Sequence, residues 1–232
     1  MSDLENDAPM SFLQRLIGIF VAPSKTFDAL HKRPSWVVPL LVIVLYIPIL
    51  QIISFSSKTG QEAIRQEMMK SPRSAQMTPE QQERALSFSK VIVPVSTLIV
   101  LPIVTFALAG IVYFIFSILL GGETTYKEAL SAWTHSGLIG LVGGAVQTGM
   151  IFLKGNMSAT TSLAAFLPFL DEKTFLYKFL QTFDLFVLWQ LAVLSIGMGI
   201  MSRVGTKKAA VALYSAFLVI AVIIAGIRQA FA

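Results

Sequence analysis

The sequence contains no cysteine and only two histidines, His31 and His135. Without thiols there can be no disulfides, zinc–thiolate sites, iron–sulfur clusters or cysteine nucleophiles. Two histidines are too few for a metal site with several imidazole ligands. The composition therefore predicts no metal and no cofactor.

Charged residues are also scarce, at 13% of the 232 residues, whereas hydrophobic residues make up 55%. Soluble domains contain about 25% charged residues, and the mean hydropathy here is +0.72. These values indicate a membrane protein without a sizeable soluble domain. The net charge of +5 is carried largely by loops beside apolar segments. It therefore favours contact with anionic lipid headgroups, and no nucleic-acid partner is predicted.

Long uncharged runs define the fold class. Residues 91–120 carry no charged side chain, and about 20 apolar residues of helix suffice to cross a bilayer. The sequence predicts an all-α, polytopic membrane helix bundle with five transmembrane helices. Their expected positions are about 36–55, 91–120, 129–153, 185–202 and 209–227.

The N-terminal region is predicted to lie outside the spans. Residues 1–10 are expected to form a disordered tail, and residues 11–232 a single membrane domain. Residues 11–20 mix apolar side chains with Gln14 and Arg15 and are too short to span. They favour an amphipathic helix in the membrane interface, or alternatively a helix that docks a partner.

Local signals mark where several helices begin. Ser35 is expected to cap the first span, and Thr125 with Glu128 forms a capping-box pattern before the third. Five spans place the termini on opposite sides of the membrane. The lysine and arginine count does not decide the orientation, but the basic turn at 203–208 favours a cytoplasmic N-terminus.

Catalytic motifs are missing from the sequence, which has no HExxH, GxxxxGK[ST] or GxSxG pattern. His135 is the titratable residue predicted deepest within a span, and such residues are frequently functional. The alternative is a neutral imidazole bonded to a neighbouring helix. Asp184 directly precedes the fourth span, where a negative residue is favoured by the helix dipole.

Glycine and proline mark two further candidate positions. Gly140 and Gly144 form a GxxxG pattern in the third span, which predicts close helix packing within the bundle or self-association. Pro102 lies in the second span with Pro94 and is expected to bend it.

Residues 20–42, FVAPSKTFDALHKRPSWVVPLLV, contain Pro23, Phe27, Pro34, Trp36 and Pro39. This stretch resembles the N-terminal signature of bacterial members of the YIP family, the Ypt/Rab-interacting integral membrane proteins. Three later segments resemble the same family in the same order: GGETTYKEALSAW (121–133), DLFVLWQLAVLSIGMG (184–199) and the basic turn SRVGTKKAA.

The resemblance implies five membrane helices with a cytoplasmic N-terminus. The sequence lacks the DLYGP-type motif and the long N-terminal tail of the eukaryotic members, so Rab binding is not transferred. The resemblance supplies no catalytic residue. We expect a non-enzymatic membrane scaffold or adaptor in a bacterial cytoplasmic (inner) membrane, with a membrane-protein partner or a second copy as its partner.

The alternative is a small-solute or lipid transporter. The prolines that interrupt apolar helices, the glycines of the third span and the buried position of His135 favour it, since broken helices line many transport sites.

Overall fold

A computed structural model describes residues 10–69, 74, 76–157, 160–167 and 169–230. The regular structure of these residues is helical, apart from one isolated antiparallel bridge between Ser162 and Asp184. The all-α prediction is therefore confirmed for the part of the chain described. The predicted tail at 1–10 lies outside the described residues, except for Met10.

Ten α-helices are present among the described residues, together with one π-helix and one 3₁₀-helix. The α-helices are α1 (Phe12–Val21), α2 (Pro23–Lys32), α3 (Val37–Ser56), α4 (Lys58–Met69), α5 (Pro79–Tyr113), α6 (Tyr126–Gly137), α7 (Ile139–Lys154), α8 (Phe175–Gln181), α9 (Leu185–Met201) and α10 (Thr206–Ala230). The π-helix is Phe114–Leu119 and the 3₁₀-helix is Leu163–Phe166.

Four of the described helical segments are long and apolar enough to cross a membrane. They are Val37–Ser56, Pro79–Leu119, Tyr126–Lys154 and Thr206–Ala230. The fifth predicted span corresponds to α9, an apolar helix of 17 residues with a length of about 25 Å. Because α9 is shorter than a hydrocarbon core of about 30 Å, the count of five spans stays a prediction.

The second span differs from a simple membrane-length helix. It begins at Pro79, before the apolar run, and stays α-helical through Pro94 and Pro102 to Tyr113. The last turns widen into the π-helix Phe114–Leu119. The helix is therefore longer than the apolar run at its N-terminal end and continues through both prolines.

The described residues fall into two compact units. Unit 1 consists of residues 10–41, Val104–Ile139 and Gln190–Ser215. Its core contains large side chains with no solvent exposure, among them Ile19, Phe27, Phe116, Leu194 and Met198. Aromatic edges also pack here, with the rings of Trp36 and Phe106 centred 5.5 Å apart.

Unit 2 consists of Val42–Ile103, Gly140–Trp189 and residues 216–230. Phe183 packs edge-on against Phe179 and Phe217, with ring centroids 4.9 and 5.3 Å apart. The Tyr46 hydroxyl donates a hydrogen bond to the Leu141 carbonyl at 2.9 Å. Lys178 Nζ donates to Gln229 Oε1, also at 2.9 Å. This hydrogen bond joins the lysine to α10.

Candidate functional site

The N-terminal helices α1 and α2 form a hairpin in unit 1 that is specified by local sequence. Ser11 caps α1: its hydroxyl accepts from the Gln14 amide at 3.2 Å, and Gln14 Oε1 accepts from the Ser11 amide at 2.8 Å. Pro23 occupies the first turn of α2, where its missing N–H costs nothing. Ala22 separates the two helices with φ −148° and ψ 57°, outside the helical region.

Close approach of the two helices depends on Gly18. A Cβ at this position would overlap the hydroxyl of Thr26, which is fully buried. On α2, Phe27 packs its ring against Gly197 of α9, where an added Cβ would lie 2.7 Å from Phe27 Cε1. The hairpin is therefore held within unit 1 by close contacts at two glycines.

A chain of polar contacts connects the hairpin with α6. Arg15 donates from Nε to the Met10 carbonyl at 2.9 Å and from Nη1 to the Ser35 hydroxyl. The Ser131 hydroxyl donates to the Ser35 carbonyl at 2.8 Å and accepts from the Ser35 amide at 3.3 Å. These reciprocal bonds satisfy the backbone of Ser35 just before α3 begins at Val37. The expectation that Ser35 caps this helix was wrong, because Trp36 is the residue directly before α3. The Ser35 hydroxyl instead accepts from Arg15, and its backbone bonds to Ser131 of α6.

His135 lies at the buried end of this series of polar contacts and has no solvent exposure. Its Nδ1 is 2.9 Å from the Ser131 carbonyl. A carbonyl only accepts, so Nδ1 carries the proton in this contact. Nε2 is buried and has no hydrogen-bond partner among the described residues. The imidazole therefore bonds to its own helix, and one ring nitrogen is left without a partner.

Glu128 joins α6 to α2 at the start of α6. It completes the predicted capping box, because its carboxylate accepts from the Thr125 amide and hydroxyl, both at 2.8 Å. Its other oxygen, Oε1, lies 2.7 Å from His31 Nδ1. This contact does not meet the geometry of a hydrogen bond, but it brings the imidazole of α2 and the carboxylate of α6 into close polar contact.

A cleft of about 710 Å³ opens between α1 and α2. One face of α1 contributes apolar side chains, including Ile17 and Val21, and one face of α2 contributes Lys25 and Lys32. The site therefore combines a cleft at the surface of unit 1 with polar contacts that reach into a membrane-spanning helix.

A family model described as Yip1 domain matches residues 17–227. The chain belongs to the Yip1 domain family. The match extends from the middle of α1 almost to the end of α10 and covers both units. The resemblance identified from the sequence is thereby confirmed.

This Yip1 domain chain is also similar to the Membrane protein YknW of Bacillus subtilis (strain 168). The two are 27% identical over 185 residues, which cover 79% of this chain and 76% of the relative. No solved structure matches the chain. The comparisons thus establish the family and its membrane character.

The other positions predicted to matter in this Yip1 domain lie apart from the hairpin. Asp184, in unit 2, caps α9 by accepting from the Phe186 amide at 2.8 Å, and it also accepts from the Thr161 hydroxyl. Pro102 lies inside α5.

The two glycines of the GxxxG pattern differ in their surroundings. An added Cβ at Gly144 would lie 2.9 Å from Leu50 Cδ1, whereas one at Gly140 would meet nothing within 4 Å. Gly144 is therefore packed within unit 2 and Gly140 is open.

Sequence reasoning singled out His135 but missed the residues that lead to it. The sequence pattern does not group Arg15 with Ser35 and Ser131, because Ser35 and Ser131 lie 96 positions apart in the chain. The one available signal was the polar pattern of α6, in which Ser131, Thr134 and His135 recur at helical spacing.

Proposed function

We propose that this Yip1 domain protein is a non-enzymatic membrane scaffold or adaptor. In this role it presents its N-terminal hairpin to a membrane-protein partner. The proposal rests on one observation: α1 and α2 are tightly packed within unit 1. The glycine contacts and the Arg15–Ser35–Ser131 chain hold the hairpin in one orientation, and a preorganised surface binds a partner at a lower entropic cost.

The same proposal includes five spans, a bacterial cytoplasmic membrane and a cytoplasmic N-terminus. Four of the described helices are long and apolar enough to cross a membrane, and α9 is a shorter apolar helix of 17 residues. The apolar composition of α9 supports its assignment as the fourth of five spans.

A single introduced cysteine tests both the orientation and the partner, because the natural chain has none. Ser24→Cys lies on the exposed start of α2, and Lys58→Cys lies at the exposed start of α4. In intact cells a membrane-impermeant maleimide should label the Lys58 variant and leave the Ser24 variant unlabelled. Labelling of both would contradict the proposed orientation.

In membranes opened by lysis, a benzophenone maleimide at the same two positions should crosslink a partner. We expect a stoichiometric membrane-protein adduct from Ser24→Cys and a much lower yield from Lys58→Cys. The adaptor role would be contradicted by hydrolytic turnover in the purified protein that disappears when its own polar span residues are mutated.

A transporter is the second candidate, and the unpartnered Nε2 of the buried His135 favours it. The π-helix Phe114–Leu119 adds support, since such turns are frequent at functional sites. His135→Ala separates the two functions. An adaptor should still capture its partner, whereas a transporter should lose flux in proteoliposomes reconstituted with equal amounts of folded protein.

A further inference from the structure

The cleft between α1 and α2 has two walls of different chemistry. Ile17 and Val21 form an apolar wall along α1, Met10 lies just before this helix, and Lys25 and Lys32 lie along α2. Its volume of about 710 Å³ falls within the range of small-molecule sites, about 300–1,000 Å³. An occupant that satisfies both walls must be amphipathic.

The charge of the cleft is strongly positive. Its lining contains four basic side chains and one acidic one: Arg15, Lys25, Lys32, Arg33 and Asp28. Among the described residues, no acidic group lies within ion-pair distance of Lys25, Lys32 or Arg33. The Arg15 guanidinium is held in place by Met10 and Ser35. The cleft therefore offers uncompensated cations to an anion.

The surroundings of the cleft point to a lipid rather than to a soluble anion. On α1, Leu13, Ile17 and Val21 follow one another at helical spacing and are 63%, 54% and 73% exposed. Arg33 follows α2 directly, and the first apolar span begins at Val37. Apolar side chains exposed beside a membrane-spanning helix are covered most favourably by acyl chains.

We propose that the cleft between α1 and α2 is a binding site for an anionic phospholipid. The lipid phosphate lies against Lys25, Lys32 and Arg33, and the upper part of an acyl chain lies against Ile17 and Val21. The site is independent of the proposed adaptor role, since a bound lipid requires no protein partner.

The test measures lipid retention on the full chain in detergent micelles by native mass spectrometry. The protein is incubated with equimolar phosphatidylglycerol and phosphatidylcholine, and the bound copies of each are counted. We expect the natural protein to retain phosphatidylglycerol preferentially. Lys25→Glu/Lys32→Glu should weaken that retention by about tenfold or more, since each basic residue near an anionic lipid surface contributes severalfold to binding.

The matched control is Lys207→Glu/Lys208→Glu, which makes the same charge change at two exposed lysines outside the cleft. It should retain phosphatidylglycerol to within twofold of the natural protein. Equal losses in the two variants would indicate a diffuse charge effect and overturn the proposal. Unchanged retention in the cleft variant would overturn it as well.

Inorganic phosphate distinguishes a lipid site from a free-anion site. At a concentration of about 10 mM it should displace little phosphatidylglycerol, because it cannot occupy the apolar wall. Complete displacement would assign the cleft to a soluble phosphate and contradict a lipid. The exposed positions of all four lysines should leave the unfolding temperature of both variants unchanged, and that measurement accompanies each assay.

Discussion

Helices α6 and α7 follow one another in a single apolar segment, yet their surroundings differ sharply. Eight residues of α6 are buried, among them Glu128, Ser131, Thr134, His135 and Ser136. In α7 only Ile139 and Ile151 are buried. The polar helix is thus enclosed by protein in unit 1, whereas the more apolar helix exposes its side chains.

The difference follows from the cost of polar groups in hydrocarbon. A buried hydroxyl or carboxylate needs a hydrogen-bond partner, and α6 obtains partners from Ser35, Thr125 and its own carbonyls. Val142, Val146 and Leu153 of α7 need none, and a bilayer can cover them. Unit 1 is therefore the place where loss of a contact should matter most.

The largest effect is expected from Phe27→Ala. This ring is fully buried in unit 1, and its removal leaves a cavity against Gly197, so we expect a loss of about 3–5 kcal/mol in the free energy of unfolding. Phe166→Ala in unit 2 is the control, because that ring is 75% exposed and should change stability by less than about 0.5 kcal/mol. Thermal unfolding in detergent micelles compares the two, and equal losses would contradict the contrast between the units.

A smaller effect is expected from Ser131→Ala. The change leaves the amide and carbonyl of Ser35 without their partner, which costs about 1–3 kcal/mol for buried groups. Ser96→Ala is matched in chemistry, but the Ser96 hydroxyl bonds only to the Val93 carbonyl of its own helix. If chemical unfolding showed the same loss for both serines, the Ser35–Ser131 link would have no special role in holding the hairpin.

The smallest effects, and opposite signs, are expected for the glycines of α7. Gly143→Ala places a methyl 2.9 Å from Phe186 Cβ and should cost about 1 kcal/mol. Gly144→Ala places a methyl 2.9 Å from the tip of Leu50, which can move, and 3.6 Å from Tyr46 Cε1, which is an ordinary contact. This change should be near neutral. Gly140→Ala meets nothing within 4 Å and should stabilise the helix by about 0.5–1 kcal/mol.

The same glycine variants separate the two interpretations of the GxxxG pattern. Crosslinking in membranes reports any dimer, and Gly140→Ala should leave the monomer fraction unchanged. A dimer that is lost in Gly140→Ala but kept in Gly143→Ala would instead support self-association through the open glycine.

Local chemistry made much of the helical framework predictable. The capping box at Thr125 and Glu128, the start of α2 at Pro23 and the apolar runs of the spans depend on neighbours within one turn of helix. The long start of α5 at Pro79 also follows from a local capping pattern at Thr78 and Gln81. The fourth predicted span differs from the others, because the 17 residues of α9 are near the lower limit for a crossing.

Composition, hydropathy and capping are properties of short segments, and they were sufficient to predict the membrane class and the apolar helices. The family was recognised from the resemblance of four segments in the right order, which the match over residues 17–227 confirms. Three features are visible only in the folded protein: Arg15 and Ser131 both bond to Ser35, Thr26 packs directly against Gly18, and a basic cleft opens between α1 and α2. These contacts join residues that are distant in the chain or that lie on particular helix faces. Their formation depends on how the helices pack, and that packing is set by the sum of many contacts.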